Sequence, residues 1–328
     1  MANVELVAIV DPVFSTRASV LASKLDCLAF TSVGELLASG TRVDAATVAS
    51  PTNTHAPIAS ELLMAGVSCL VEKPLAHNSV AAQALVELAA LRSLVLLPGH
   101  IERFNPAVRA VRERRPQISY ITAYRVGPIS FRSIDIDVVM DVMTHDIDIA
   151  LFLTGASDAD VVVTRAFAAP EGINDIAKAE IRLGTCIADL VASRLAIARR
   201  RKMRIFAADG YFSIDCSKGT AVHVDRGRYF AGLRDLRLYQ EMGREIVGDS
   251  IFAAVGAEHM VDVQRHGSDA LAEELKYFLS VVRGEALADA LTASDGVKVI
   301  RIAEAIIAGC SGAQSIQLSD TFRRDDCI

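Results

Sequence analysis

The sequence predicts a mixed α/β chain of two domains: a parallel sheet interleaved with helices, then an α+β domain whose sheet is mostly antiparallel. At 328 residues the chain is long for one average domain. Up to about residue 97, short apolar runs alternate with stretches of helical period, the pattern of right-handed βαβ crossovers. Beyond residue 97, runs that alternate apolar and polar positions follow one another through tight turns, as antiparallel strands with one covered face do. The division is expected at 1–103 and 104–328.

In the first domain, residues 6–10 read as a buried strand ending at Asp11-Pro12, and 17–24 and 32–37 as helices. A strand over 45–49 closes at Ser50, Pro51, Thr52, Asn53, Thr54 and His55. Residues 56–65 have helical character, and Gly66 stands where a helix ends in a left-handed residue. The apolar run 67–71 is a strand reaching Glu72, followed by a helix over 79–91 and a strand over 94–97. In the second domain, Asn105-Pro106 opens a helix to about 113, and 118–125 is a half-exposed strand. A helix over 138–153 precedes strands at 161–168, 176–183, 186–195, 203–208 and 211–215. Asp209-Gly210 is a hairpin turn. Helices over 269–282 and 293–308 complete the domain, and no internal repeat is visible.

Composition narrows the function. Hydrophobic residues make up 52% and charged residues 23%, which suits a substantial core. Acidic residues outnumber basic ones 40 to 34, so a net charge of −6 argues against nucleic acid as a partner. The basic run Arg199-Arg200-Arg201-Lys202 reads as a solvated turn. The six cysteines (27, 69, 186, 216, 310 and 327) are scattered without a CxxC pair, which points to no metal site and a reducing cytoplasm. The first residues lack the pattern of a secretory signal, and the apolar runs fall short of the roughly 20 residues that span a bilayer. A cytoplasmic protein without membrane insertion is expected.

The chemistry concentrates in two places. Lys73, in Glu72-Lys73-Pro74, stands at a strand end. Asp141 and His145 are four apart, so a helix puts carboxylate and imidazole on one face. Together these groups suit proton transfer beside a bound cofactor. The bland alternatives are a solvated lysine and an ordinary helix pair, but the apolar neighbours Val138, Val139, Met140, Val142 and Met143 make a buried, unpaired carboxylate costly. Asp146 and Asp148 read as helix-face charges or substrate neighbours.

The run 43–55, Glu72-Lys73-Pro74-Leu75, Asp141 with His145-Asp146-Ile147-Asp148, and Asp295-Gly296 together resemble the Gfo/Idh/MocA oxidoreductases, over about 4–318. Gly99-His100-Ile101-Glu102-Arg103-Phe104-Asn105-Pro106-Ala107 resembles the branch acting on UDP-N-acetylglucosamine-type sugar nucleotides at C3. The resemblance implies a Rossmann-like first domain and an NAD-dependent oxidation of a sugar hydroxyl to a ketone. It implies that Lys73, Asp141 and His145 are the catalytic group, with His145 or Lys73 as base and Asp141 orienting a ring. Asp11, at a strand end, is placed to bind the adenosine ribose and favours NAD over NADP, because an acid there repels a 2′-phosphate. Ser50, Pro51, Thr52, Asn53 and His55, with Glu72 and Lys73, are expected to line the cofactor cleft. Lys73, Asp141 and His145 are expected at the sugar. Arg103 and Asn105 are either sugar-nucleotide contacts or, for Asn105, a helix N-cap before Pro106. The open face of the second sheet implies a homo-oligomer. Other readings are a dehydrogenase of another sugar or an inositol, and a non-catalytic homologue.

One element of the resemblance is missing. The chain reaches Asp11 without the strand and G-x-G-x-x-G turn that hold a dinucleotide pyrophosphate, so an incomplete first domain is expected, short of one β-α unit. A start placed too far downstream, a truncated relative, or a strand supplied by another segment or subunit would each explain it, and the first is preferred.

Overall fold

The computed structural model describes residues 3–13, 17–129, 136–168, 173–227, 231, 257–261, 269–285 and 291–312. The end of the expected resemblance, 313–318, and Cys327 lie outside them. Two compact units emerge, Met1–Gly99 with Glu274–Lys298, and His100–Glu273 with Val299–Ile328. The expected division after residue 103 thus falls after Gly99, and a late segment joins the first unit.

The first unit alternates strand and helix: β1 (Ala8–Val10), α1 (Arg17–Leu25), β2 (Leu28–Phe30), α2 (Val33–Ala38), β3 (Ala45–Val48), α3 (Thr52–Met64), β4 (Ser68–Glu72), α4 (Ser79–Leu91) and β5 (Leu96–Gly99). All ladders here are parallel, and among the described residues they form two sheets, β1-β2 and β3-β4-β5. β4 is central in the larger sheet and carries Cys69, Leu70 and Val71, each at most 2% exposed. A central parallel strand is covered on both faces, which is why it reads as a continuous apolar run. The helices have definite ends. Asn78 caps α4 by accepting a hydrogen bond from the Ala81 amide at 2.8 Å. Gly66 (φ +87°) follows α3, its amide bonding the Leu63 carbonyl while Val67 bonds that of Leu62.

The late segment belongs here for an apolar reason. Phe278, in the helix Ala270–Val282, is buried with Leu70 and Leu97 from the three-stranded sheet. Periodicity identifies such a helix but not the sheet that it covers.

The second unit opens with a short 3-10 turn, Ile101–Phe104, then α5 (Pro106–Arg114) and β6 (Ile118–Val126). A π turn, Val139–Met143, runs into α6 (Thr144–Thr154). The strands β7 (Asp160–Ala168), β8 (Asn174–Leu183), β9 (Cys186–Ser193), β10 (Arg200–Ala207), β11 (Gly210–Asp215), β12 (Thr220–Asp225) and β13 (Ala257–Val261) follow. Then come α7 (Ala270–Val282) and α8 (Ala293–Gly312). Among the described residues, one sheet holds eight strands in the order β13-β12-β11-β10-β6-β9-β8-β7, antiparallel except that β6 and β9 run parallel. Helices α5 and α6 pack on it. β2, β12 and β13 are not among the expected strands; the first is only three residues long, too short to show a period.

The basic run corrects an expectation. Arg200, Arg201 and Lys202 begin β10 rather than forming a turn, and Arg201 is half-buried opposite Arg125 of β6. Burial and the neighbouring Arg125 both depress its pKa.

Candidate active site

Lys73 follows the last residue of β4, where parallel strands deliver side chains to a sheet's ligand-binding edge. It is half-buried, and its peptide to Pro74 is cis. The Glu72 carboxylate accepts a hydrogen bond from the Lys73 amide at 3.2 Å. Behind Lys73, Leu75 and Ala76 are at most 1% exposed. Gly296 of α8 packs on this loop: a Cβ there would come within 3.2 Å of Leu75 and 3.1 Å of Pro98. Asp295 anchors the same turn of α8 by accepting from the Thr292 amide and hydroxyl and from Lys298. The Asp295-Gly296 pair therefore has a local structural explanation.

Ser50, Pro51, Thr52 and Asn53 lie between β3 and the first turn of α3, with Pro51 and Asn53 exposed. Pro51 caps α3 without a side-chain bond, so the positive end of that helix has no side-chain acceptor of its own. Thr54 donates to the Ser50 hydroxyl and the Pro51 carbonyl, each at 2.7 Å. His55 is placed differently from its neighbours. It is 1% exposed, with Nδ1 and Nε2 each 2.8 Å from a backbone carbonyl, those of Pro74 and Ser50. Asp11 follows β1, is half-buried, and one of its oxygens accepts from the Val13 amide at 2.9 Å.

In the second unit Asp141 lies in the π turn and His145 in the first turn of α6. The expected continuous helix is thus interrupted: the Thr144 amide bonds the Val139 carbonyl, five residues back, and the Thr144 hydroxyl bonds the Met140 carbonyl at 3.0 Å. A single widened turn re-aims side chains, and such turns recur at functional sites. Val139, Met140, Met143, Thr144 and Ile147 are buried, whereas Asp141 and His145 are half-buried.

Beneath this segment lies a charged network that sequence reading missed. Asp146 and Asp148, read above as helix-face charges or substrate neighbours, are 4% and 1% exposed. Asp146 accepts from Arg125 at 2.8 and 3.0 Å, and the same guanidinium donates to Glu102 at 2.7 Å. Asp148 accepts from Arg103 at 2.7 Å, and His100 Nε2 stands 3.8 Å away. Burial lowers the tendency of Arg125 to carry charge, but Asp146 and Glu102 outweigh it and raise its pKa. For Asp146, burial is the larger influence and holds its pKa up against the pull of Arg125.

This network supplies the structural alternative for Arg103 and Asn105. Arg103 bonds Asp148 and lies 5.1 Å from the Phe152 ring centre. Asn105 caps α5 through the Ala107 amide and donates to Glu102 and the Cys216 carbonyl. At the other end of the segment, Asp137 accepts from the Val139 amide at 2.8 Å and from Asn174 at 2.6 Å. Nearby, Arg194 pairs with Asp175 and donates to the Ile136 carbonyl. The signal that would have found Arg125 and Asp175 is strand phase: Arg125 continues the buried set Ile121, Ala123, and Asp175 the set Ala177, Ala179, Ile181.

Among the described residues, no group of three His, Cys, Asp or Glu side chains is placed to hold a metal ion, and no helix is long and apolar enough to cross a membrane. Burial pushes the Cys69 thiol up to about 12, which keeps it protonated and unreactive near neutrality.

Residues 1–100 match the family described as "Oxidoreductase family, NAD-binding Rossmann fold". The chain is 41% identical over 215 residues to the UDP-N-acetylglucosamine 3-dehydrogenase of Acidithiobacillus ferrooxidans, an alignment covering 64% of this chain and 67% of that one. A crystal structure of that dehydrogenase superposes with a TM-score of 0.75 at 34% identity, covering 93% of this chain and 89% of the other. The myo-inositol dehydrogenase Hyg17 of Streptomyces leeuwenhoekii is 34% identical over 166 residues, 46% of this chain and 50% of that one. With a parallel-sheet unit bearing Lys73 at a strand end and a mostly antiparallel unit bearing Asp141 and His145, the chain belongs to the Gfo/Idh/MocA family of oxidoreductases.

Proposed function

We propose that this protein oxidises a secondary hydroxyl of a sugar nucleotide to a ketone with NAD, at C3 of a UDP-N-acetylhexosamine. The observation that carries the proton chemistry is a contrast along one segment. The fold buries Asp146 and Asp148 against arginines yet leaves Asp141 and His145 half-buried. A carboxylate and an imidazole kept accessible in an otherwise apolar stretch suit a reacting group better than a core contact. The 41% identical dehydrogenase supports the choice of sugar nucleotide over inositol.

NAD supplies the hydride acceptor. The chain's own residues handle the proton: His145 takes it from the hydroxyl as hydride leaves the same carbon, Asp141 orients the imidazole, and Lys73 stabilises charge on the oxygen. With Lys73 as base instead, the roles of Lys73 and His145 exchange. Asp11 suits the adenosine ribose hydroxyls and disfavours a 2′-phosphate. The uncapped start of α3, with Ser50, Thr52 and Asn53, suits the polar nicotinamide half. The 328 residues contain no G-x-G-x-x-G, so the pyrophosphate has no glycine-rich cradle among them.

A homo-oligomer through the eight-stranded sheet is part of the reading. Tyr120, Phe206 and Tyr211 form an aromatic row on it, with ring centres 5.8 and 5.2 Å apart, and Phe206 is 42% exposed. The compartment proposed is the reducing cytoplasm, where buried thiols such as Cys69 stay free.

The test is to incubate the protein with NAD and UDP-N-acetylglucosamine, following NADH by absorbance and the product by mass spectrometry. A product lighter by two hydrogens, in step with NADH, is expected. Turnover of myo-inositol in place of the sugar nucleotide would move the protein to a different substrate class.

A further inference from the structure

We propose that His55 is a positioning residue for Lys73, acting through the backbone carbonyl of Pro74. The inference deepens the function proposed above and rests on the reading of Lys73 as a reacting group. His55 is 1% exposed, and its two ring nitrogens meet carbonyl oxygens at 2.8 Å, so it reaches a ligand only through what it holds. What it holds are two loops of one sheet edge. Ser50 ends the β3 connection and Pro74 immediately follows Lys73 after β4. Ser50 and Pro74 are 5 and 19 residues away from His55 in sequence, and the imidazole spans them.

The Pro74 carbonyl is attached to the same residue whose nitrogen closes the Lys73 peptide, so fixing that oxygen fixes the backbone from which the Lys73 side chain leaves. On the other side the loop is held by packing, where Gly296 admits Leu75 and Pro98 at a distance that a methyl group would fill. Where the amine can reach depends on where its stem leaves the backbone, and that origin is a part that the fold fixes. A displacement of about 1 Å in a reacting group costs up to about 100-fold in rate. A buried histidine kept only for stability requires its bonds satisfied but is indifferent to which carbonyl accepts them. A carbonyl accepts only from a ring N–H, and the proposal assigns the functional weight to Nδ1–H donating to Pro74 and a packing role to the Nε2 contact with Ser50.

Two conservative variants separate these bonds. In His55→Asn the amide nitrogen occupies the place of Nδ1 and keeps a donor for Pro74; in His55→Gln it reaches the place of Nε2 and keeps a donor for Ser50. Thermal denaturation, kcat and KM with NAD and UDP-N-acetylglucosamine, and amide exchange by mass spectrometry over residues 72–78 are compared with the unaltered protein. His55→Gln is expected to lose about 10- to 100-fold in kcat with little change in KM, and to exchange the Lys73, Leu75 and Ala76 amides faster. His55→Asn is expected to lose about tenfold less in kcat than His55→Gln while melting at a similar temperature. Equal losses in both variants, tracking melting temperature, would overturn the proposal, as would unaltered exchange in a folded His55→Gln protein. If neither variant folds, the ring N–H facing Pro74 is measured in the unaltered protein by nitrogen-15 NMR. Slow exchange with water supports the bond, and a rapidly exchanging ring refutes it. Should Lys73→Ala retain full turnover, the reading of Lys73 fails, while the exchange comparison still reports whether His55 holds the loop.

Discussion

Lys73 and the Asp141–His145 pair are held by opposite kinds of interaction. The Lys73 loop is held in large part by uncharged groups: an imidazole against two backbone carbonyls, buried Leu75 and Ala76, and the bare surface of Gly296, with the Glu72 carboxylate on the Lys73 amide. The segment from Asp137 to Asp148 is fixed by buried charge, with Arg125 between Glu102 and Asp146, Arg103 on Asp148, and Asn174 on Asp137. The difference follows from what each site presents. A loop bearing a cation gains nothing from more fixed cations beneath it, whereas a helix bearing Asp141, Asp146 and Asp148 requires counter-charge to bury two of the three. Where charge is buried, the anchors are long charged side chains from β6 and the 3-10 turn; in the Lys73 loop a histidine side chain meets backbone carbonyls.

The largest effects are expected at the residues proposed to handle the proton. Lys73→Ala and His145→Ala should each lower kcat by about 100- to 10,000-fold while NADH affinity, read by fluorescence titration, changes far less. Comparable turnover in both variants would remove these residues from the chemistry. Next come the anchors themselves. Arg125→Met leaves Glu102 and Asp146 buried without their cation and should cost about 3–5 kcal/mol in urea denaturation. A loss below about 1 kcal/mol would mean that the network relaxes and the contrast between the regions is weaker than drawn. On the uncharged side, Gly296→Ala forces a methyl group against Leu75 and Pro98 and should cost about 1–3 kcal/mol.

The smallest expected effect is a pH dependence at Asp137. Burial is the main influence and raises its pKa above the ordinary carboxylate value. The folded protein therefore binds the proton more tightly than the unfolded chain, and stability falls as pH rises from the unfolded pKa through the raised one. Asp137→Asn removes that titration, so the stability of the variant relative to the unaltered protein should improve across the same rise. A relative change of opposite sign would place a stronger counter-charge on Asp137 than Arg194 supplies.

The parallel and antiparallel halves were legible because each has its own period, and the position of Lys73 at a strand end followed from one apolar run. Gly66 as a helix terminator was legible for the same local reason. That α7 joins the first unit from Glu274 onward was not, since Phe278 shows an apolar face but not that Leu70 and Leu97 cover it. The π turn at Val139–Met143 was invisible because five apolar or acidic residues fit either helix type. Asp146 and Asp148 were misread because a carboxylate on a helix is normally solvated, and their cations lie 21 and 45 residues away. His55 stood in the right run of residues, but only coordinates show that its ring faces backbone carbonyls rather than the surface.

The central claim is that the accessible Asp141–His145 pair and Lys73 serve one dehydrogenation of a sugar nucleotide. The most direct measurement is steady-state turnover of UDP-N-acetylglucosamine with NAD by the unaltered protein, Lys73→Ala and His145→Ala, with the product's mass recorded alongside NADH. The account predicts a keto sugar nucleotide formed in equal amount with NADH by the unaltered protein, and almost none by either variant. NADH without a keto product, or a keto product that both variants form at the unaltered rate, would contradict it.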